Sequence, residues 1–238
     1  MALTYTDNLA GRWRASDIAG SDNDVLATWA DTSGNLRDLT QATEANKPTL
    51  QTNELNGKAI VRFDGSNDGM STASFTLTNP VTYFIVLKYQ TDPSAQDSII
   101  TNLSLGDGYG NGLLYSEAFS EGVFLYNGTQ LNSGDNIDDT DYHYITAVFN
   151  QGSSIIRLDG AEIGAGTTSN LDIDGINIAY RSQGGGSQYA NIDVAEVLVY
   201  DEATSAGNIT SVEGYFVAEY FTASDSTPPV PARVGIYC

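Results

Sequence analysis

Asn191-Ile192-Asp193-Val194-Ala195-Glu196 is the stretch of this chain that comes nearest to a reaction. Hydrolysis of a glycosidic bond with retention needs two carboxyls about 5 Å apart, one acting as nucleophile and the other as acid/base. Asp193 and Glu196 supply two carboxylates, with the amide of Asn191 two positions ahead of the first. His143, between Tyr142 and Tyr144, could act as a general base, yet no Gly-x-Ser-x-Gly turn accompanies it. It reads as a half-buried strand histidine.

Two further groups of residues could hold ligands. The turns Asp64 to Asp68, Asp107 to Asn111 and Asp135 to Asp141 offer the oxygen donors that Ca2+ takes, six to eight at a time. None has the spacing of a defined calcium loop, and ordinary turn chemistry accounts for each one taken singly. Tyrosines beside glycine-rich turns are candidate sugar platforms: Tyr109 with Asn111, Tyr126 before Asn127-Gly128, and Tyr180 and Tyr189 flanking Gly184-Gly185-Gly186. A sugar ring lays its apolar face on an aromatic ring while amides bond its hydroxyls. Scattered surface tyrosines are also normal in β-proteins. Trp13 and Trp29 read as core anchors.

The elements that must position these residues are strands. Val81–Tyr89 is nearly all apolar or aromatic, as a central strand covered on both faces requires. Lys58–Phe63, Ile99–Leu103, Gly112–Tyr115, Val123–Tyr126, Ile173–Tyr180 and Ile192–Tyr200 are further candidates, and Tyr142–Phe149 with Ser154–Leu158 reads as a hairpin. The first fifty residues read as irregular, with short strands. Ile192–Tyr200 is expected to alternate, Ile192, Val194, Glu196, Leu198 and Tyr200 on one face, the residues between on the other. One helix follows it: Ile209, Val212, Phe216 and Tyr220 recur at spacings of three and four, and Ser205 is placed to cap them. Residues 1–222 are expected to form one domain and residues 223–238 a Pro-containing arm. That arm reads either as a disordered end or as a strand added to a neighbour.

Composition narrows the partners. Fourteen Tyr and 24 Gly against two Met favour strands and turns. Thirty acidic residues against ten basic ones give a net charge of −20, a field that repels phosphate backbones and anionic membrane surfaces. Nucleic acid is therefore not expected as a partner. No apolar run is long enough for a membrane helix, and none near residue 1 suits a signal peptide. Cys238 is the one cysteine, so no intrachain disulfide exists.

Trp29-Ala30-Asp31-Thr32-Ser33-Gly34-Asn35, Lys47-Pro48-Thr49-Leu50 and Leu55-Asn56-Gly57-Lys58-Ala59-Ile60-Val61-Arg62-Phe63-Asp64-Gly65 resemble the N-terminal half of laminin-G-like jelly rolls, within the concanavalin-A-like lectin/glucanase group. Tyr142-His143-Tyr144-Ile145 through Arg157-Leu158-Asp159-Gly160-Ala161 resembles that group's strand pair ending in a D-G turn, and Ala195-Glu196-Val197-Leu198-Val199-Tyr200 with the helix after it resembles its closing strand and helix. The resemblance implies an all-β, two-sheet antiparallel jelly-roll β-sandwich with one short C-terminal helix, a ligand-ready concave face or rim, and loop sites where Ca2+ is often bound. It does not imply one activity. Endo-acting glycoside hydrolases on the same jelly roll carry E-I-D-x-x-E, earlier in the chain, with the first Glu as nucleophile. The resemblance puts Asn191 at that position; an amide cannot form a glycosyl ester, and the chain is expected not to be an enzyme and to have no catalytic residues. The expected function is a non-enzymatic structural or adhesive module, set on a virion as a head decoration or tail fibre protein, or otherwise extracellular. It would be homo-oligomeric, and its partners would be virion or cell-surface proteins reached through the arm, and glycans. The alternatives are a bacterial carbohydrate-binding module or adhesin, and a polysaccharide-cleaving enzyme.

Overall fold

A computed structural model describes residues 2–91, 97–104, 112–117, 122–134, 137, 139–183 and 186–221. The first strands are β1 (Leu9–Arg14), β2 (Thr28–Trp29), β3 (Leu39–Thr40), β4 (Thr49–Leu55), β5 (Lys58–Asp64) and β6 (Met70–Ser71). There follow β7 (Val81–Tyr89), β8 (Asp97–Thr101), β9 (Leu113–Glu117), β10 (Gly122–Tyr126), β11 (Gln130–Asn132) and β12 (His143–Phe149). The last are β13 (Ser154–Leu158), β14 (Ala161–Gly166), β15 (Asn177–Ile178), β16 (Tyr180–Gln183), β17 (Gly186–Tyr189) and β18 (Asn191–Tyr200), before helix α1 (Ala206–Tyr220).

The strands make two antiparallel sheets packed as a sandwich. The first runs β14-β13-β12-β7-β18-β5-β4, and the second runs β11-β10-β9-β8-β15-β6-β3-β2. The ten residues of β18 explain the one branch in the first sheet. Its first half pairs with β5, from Asn191↔Asp64 to Val194↔Val61, and its second half pairs with β1, from Arg14↔Glu196 to Leu9↔Tyr200. The β4–β5 hairpin closes on Asn56-Gly57, both at positive φ (49° and 75°), which is why a glycine and an asparagine stand there. One apolar cluster fills the space between the sheets, and Trp13 and Trp29 are fully buried within it.

A second apolar cluster lies on the outer face of the first sheet, where α1 packs. Ile209, Val212, Phe216 and Tyr220 are buried there against Phe84, Tyr144, Leu198 and Tyr200. Phe216 meets Phe84 and Tyr144 edge-on, with ring centres 6.5 and 6.2 Å apart. Ser205 caps the helix as the sequence predicts, its hydroxyl accepting from the Asn208 N–H at 3.4 Å.

Three features depart from the sequence reading. The alternation of β18 breaks at a bulge, because Val194 pairs with Leu87 and Glu196 with the adjacent Val86. Ile192, Val194, Val197 and Val199 therefore face the inter-sheet core, while Ala195, Leu198 and Tyr200 face the helix. Ile173–Tyr180 is not one strand: only Asn177 and Ile178 pair in the second sheet, and Tyr180 opens the separate hairpin β16–β17. Finally, the segment before residue 50 contributes a full strand, β1, to the first sheet.

Candidate functional site

The acid pair on β18 is built into the architecture. Glu196 is fully buried beneath α1. It accepts from Arg12 Nε at 2.8 Å and from the hydroxyls of Tyr215 and Tyr220, each at 2.7 Å. Burial, then the adjacent Glu196 charge, drive the Tyr215 and Tyr220 hydroxyls well above the usual phenol range. Asp193, also fully buried, receives both Nε and Nη2 of Arg62 at 2.8 Å, with Gln90, Tyr142 and, at 3.8 Å, Lys88 around it. Asn191 packs on Gly65, where a Cβ would come within 2.6 Å of the asparagine's own Cβ, and donates to Thr91.

This outer face of the first sheet gathers most of the chain's few cations. Arg12, Arg14, Lys58, Arg62, Lys88 and Arg157 all pair there with the buried carboxylates of Asp193, Glu196, Glu213 and Glu219. Six of the ten basic residues are thus engaged in holding β-strands and helix together. The sequence pattern showed the charges but not that they converge.

His143 is more buried than the sequence suggests. Its Nδ1 lies 2.6 Å from Asp159 and its Nε2 2.9 Å from Asp139. Burial disfavours the imidazolium, but the hydrogen bonds and charges of the two aspartates outweigh it and lift the pKa to about 9. A doubly clamped cation is a tie between loops; as a general base it would have no free nitrogen.

The acidic turn at Asp64–Asp68 is closed by its own backbone. Asp64 Oδ1 accepts from the N–H groups of Ser66, Asn67 and Asp68, and Asp68 accepts from that of Asp64. Burial, then the neighbouring Asp64 charge, raise the Asp68 carboxyl to about 6. Among the described residues, no three Asp, Glu, His or Cys side chains converge where one metal ion could sit. Asp107 to Asn111, including Tyr109, lies outside the described residues, as do Asp135, Asn136 and Asp138.

The other predicted tyrosines belong to the outer face of the second sheet. On β10, Val123 and Leu125 point to the core, so Phe124 and Tyr126 point outward. Tyr115, opposite Phe124, stacks on it with ring centres 4.9 Å apart, and Tyr126 packs against the pair. Ser98, opposite Tyr115, and Thr101, opposite Asn177, share this face. They bond to the Gln188 side chain and to the Tyr180 carbonyl, so the β16–β17 hairpin lies across β8 on the outside. On that hairpin Tyr180 and Tyr189 stand opposite each other and stack at 5.3 Å, both half-buried. To one side of the hairpin lie Thr28, Thr40 and Ser71; to the other lie Gln130 and Asn132 beside Tyr126. Arg181, fully buried on the hairpin and donating to Gln188, is charged; the other described side chains named on this face are not.

No protein-family model matches the sequence, and no curated protein does either. Solved structures do match in fold. Trypanosoma rangeli sialidase in complex with sialic acid superposes with a TM-score of 0.63 at 14% identity, covering 90% of this chain and 33% of the sialidase. The binding domain of botulinum neurotoxin DC in complex with SialylT gives 0.61 at 9% identity, over 88% of this chain and 52% of the toxin domain. The same domain in complex with rat synaptotagmin II gives 0.60 at 10%. The chain thus spans about a third of the sialidase and about half of the toxin domain. At these identities the likeness is one of fold: an all-β jelly-roll sandwich similar to domains of the sialidase and the toxin.

Proposed function

We propose that this chain is a non-enzymatic carbohydrate-binding module that takes a neutral glycan on the outer face of the second sheet. The observation that carries the reading is the chemistry of that face in a protein of net charge −20. Apart from the buried Arg181, the described side chains named on it are hydroxyls, amides and aromatic rings, with the Tyr180–Tyr189 stack and Tyr126 half-buried along it. Rings of this kind accept the apolar face of a sugar, and amides and hydroxyls bond its oxygens. The opposite face is closed by α1, and its carboxylates are tied to Arg12 and Arg62.

Two of the fold neighbours were solved with sialic acid or SialylT. Here the −20 field would repel an acidic sugar, so the selectivity proposed is for uncharged chains. Display on a virion or cell surface is part of the same proposal, because a binding module of this kind acts where polymers are exposed.

A glycan array tests it directly. Uncharged oligosaccharides should bind, and Tyr180→Ala with Tyr189→Ala should weaken them about tenfold or more without loss of fold, as removal of a stacking platform does. Binding confined to sialylated or sulfated glycans, or binding indifferent to these tyrosines, would overturn the reading.

A further inference from the structure

After β1 the chain leaves the first sheet through a single 3-10 turn, Ala15–Asp17, and later returns as β2 at the edge of the second sheet. Between these segments lies a cleft of about 220 Å3 lined by Arg14, Asp17, Ile18, Thr28, Trp29 and Thr32. That volume is below the range of drug-sized pockets and suits one small ring.

Two N–H donors in the lining residues have no acceptor among the described residues: the indole N–H of fully buried Trp29, and Nε of Arg14. Such orphans are rare and each asks for a partner. The contrast with Trp13 is direct, because its indole donates to the Arg37 carbonyl at 2.9 Å. Two unanswered donors on residues that line one cleft, each donor atom itself closed to solvent behind the lining, point to a ligand bearing an acceptor oxygen.

The charges decide what kind of oxygen. Arg14 already faces Asp17 at 3.5 Å and Glu219, so its charge is balanced and gives an anion no advantage. Asp17, 38% exposed, has a carboxylate positioned to accept an O–H from a ligand. The Thr28 and Thr32 hydroxyls lie at the exposed margin, and Ile18 provides an apolar wall.

We propose that this cleft binds a single neutral, hydroxyl-rich ring, a monosaccharide unit or a cyclitol. One of its oxygens accepts from Trp29 and Arg14, and a second hydroxyl donates to Asp17. Both orphan donors are shielded from bulk water, so binding moves Arg14, whose side chain is 21% exposed. The site is separate from the hairpin tyrosines and stands without the outer-face reading.

The chain has two tryptophans, so a 1H–15N spectrum shows two indole N–H signals, and Trp29→Phe identifies which is Trp29. Titration of the full chain with glucose, galactose, N-acetylglucosamine and myo-inositol should shift that signal saturably for at least one of them. Asp17→Asn, at a partly exposed site, should weaken that binding about tenfold, as loss of a hydrogen bond to a charged group does. The Tyr180→Ala, Tyr189→Ala variant should leave the cleft response intact while losing oligosaccharide binding. The cleft proposal is overturned if no compound moves the Trp29 signal, if Asp17→Asn binds as tightly as the parent, or if the tyrosine variant abolishes the shift. Loss of oligosaccharide binding selectivity alone would sink only the outer-face reading.

Discussion

Replacing Glu196 by alanine removes the carboxylate that Arg12, Tyr215 and Tyr220 all share. The acid is fully buried, while the Arg12 side chain keeps 19% of its surface in solvent. Breaking a fully buried pair by deleting one partner costs about 3–5 kcal/mol. The solvated edge of Arg12 places this case at the low end, about 3 kcal/mol. For a domain of this size each kcal/mol moves Tm by about 2–4 °C, so Glu196→Ala should melt about 6–12 °C lower. Glu196→Gln should fall between, because the amide keeps one acceptor but turns two N–H groups toward donors. Arg12→Met added to Glu196→Ala should recover part of the loss, since both charges are then gone. Thermal unfolding followed by circular dichroism reads all four proteins, and the glycan array reads their binding well below Tm. A Tm within about 1 °C of the parent in Glu196→Ala, against the 2–4 °C per kcal/mol expected, would refute the architectural role. So would loss of binding or of polysaccharide cleavage in a fully folded Glu196→Gln.

Two further perturbations follow from the same accounting of buried groups. The Tyr83 hydroxyl is fully buried with no hydrogen-bond partner among the described residues, and burial alone drives its pKa far above the phenol range. Tyr83→Phe should keep the edge contact with Phe149 and raise stability by about 1 kcal/mol, or about 2–4 °C in Tm; a lower Tm would show that the hydroxyl is satisfied. Stability should also fall steadily between pH 5 and pH 9. Burial raises the Asp68 and Asp97 carboxyls to about 6, so the folded state binds protons the unfolded state has lost, and that advantage disappears as pH rises through 6. His143, lifted to about 9, contributes fully below its unfolded value near 6.5 and stops contributing as pH passes 9. Melting scans at pH 5, 7 and 9 check the trend, Asp68→Asn should flatten its acidic half, and a Tm that climbs with pH would contradict it.

The amino-acid sequence by itself determined the local elements. The apolar run of β7 could only be a central strand, and the spacing of Ile209, Val212, Phe216 and Tyr220 after Ser205 could only be an amphipathic capped helix. It also placed an amide, Asn191, just ahead of the two acids Asp193 and Glu196. Several things were decided only in three dimensions. A bulge is a register difference between two strands, so nothing within Ile192–Tyr200 alone could reveal that Val197 and Val199 turn inward while Leu198 turns out. Arg12 and Glu196 are 184 positions apart, and Arg62 and Asp193 are 131 apart; only sheet pairing brings them within 2.8 Å. The tyrosines flanking Gly184–Gly186 were legible as candidates, but their mutual stacking and their place across β8 depend on a hairpin whose partner strand lies some eighty residues earlier. Periodicity and turn chemistry act between neighbours in the chain, so the sequence carries them openly. Register, ion pairing and the sorting of charge to one face are relations between distant strands, and they exist only once the sheets have formed.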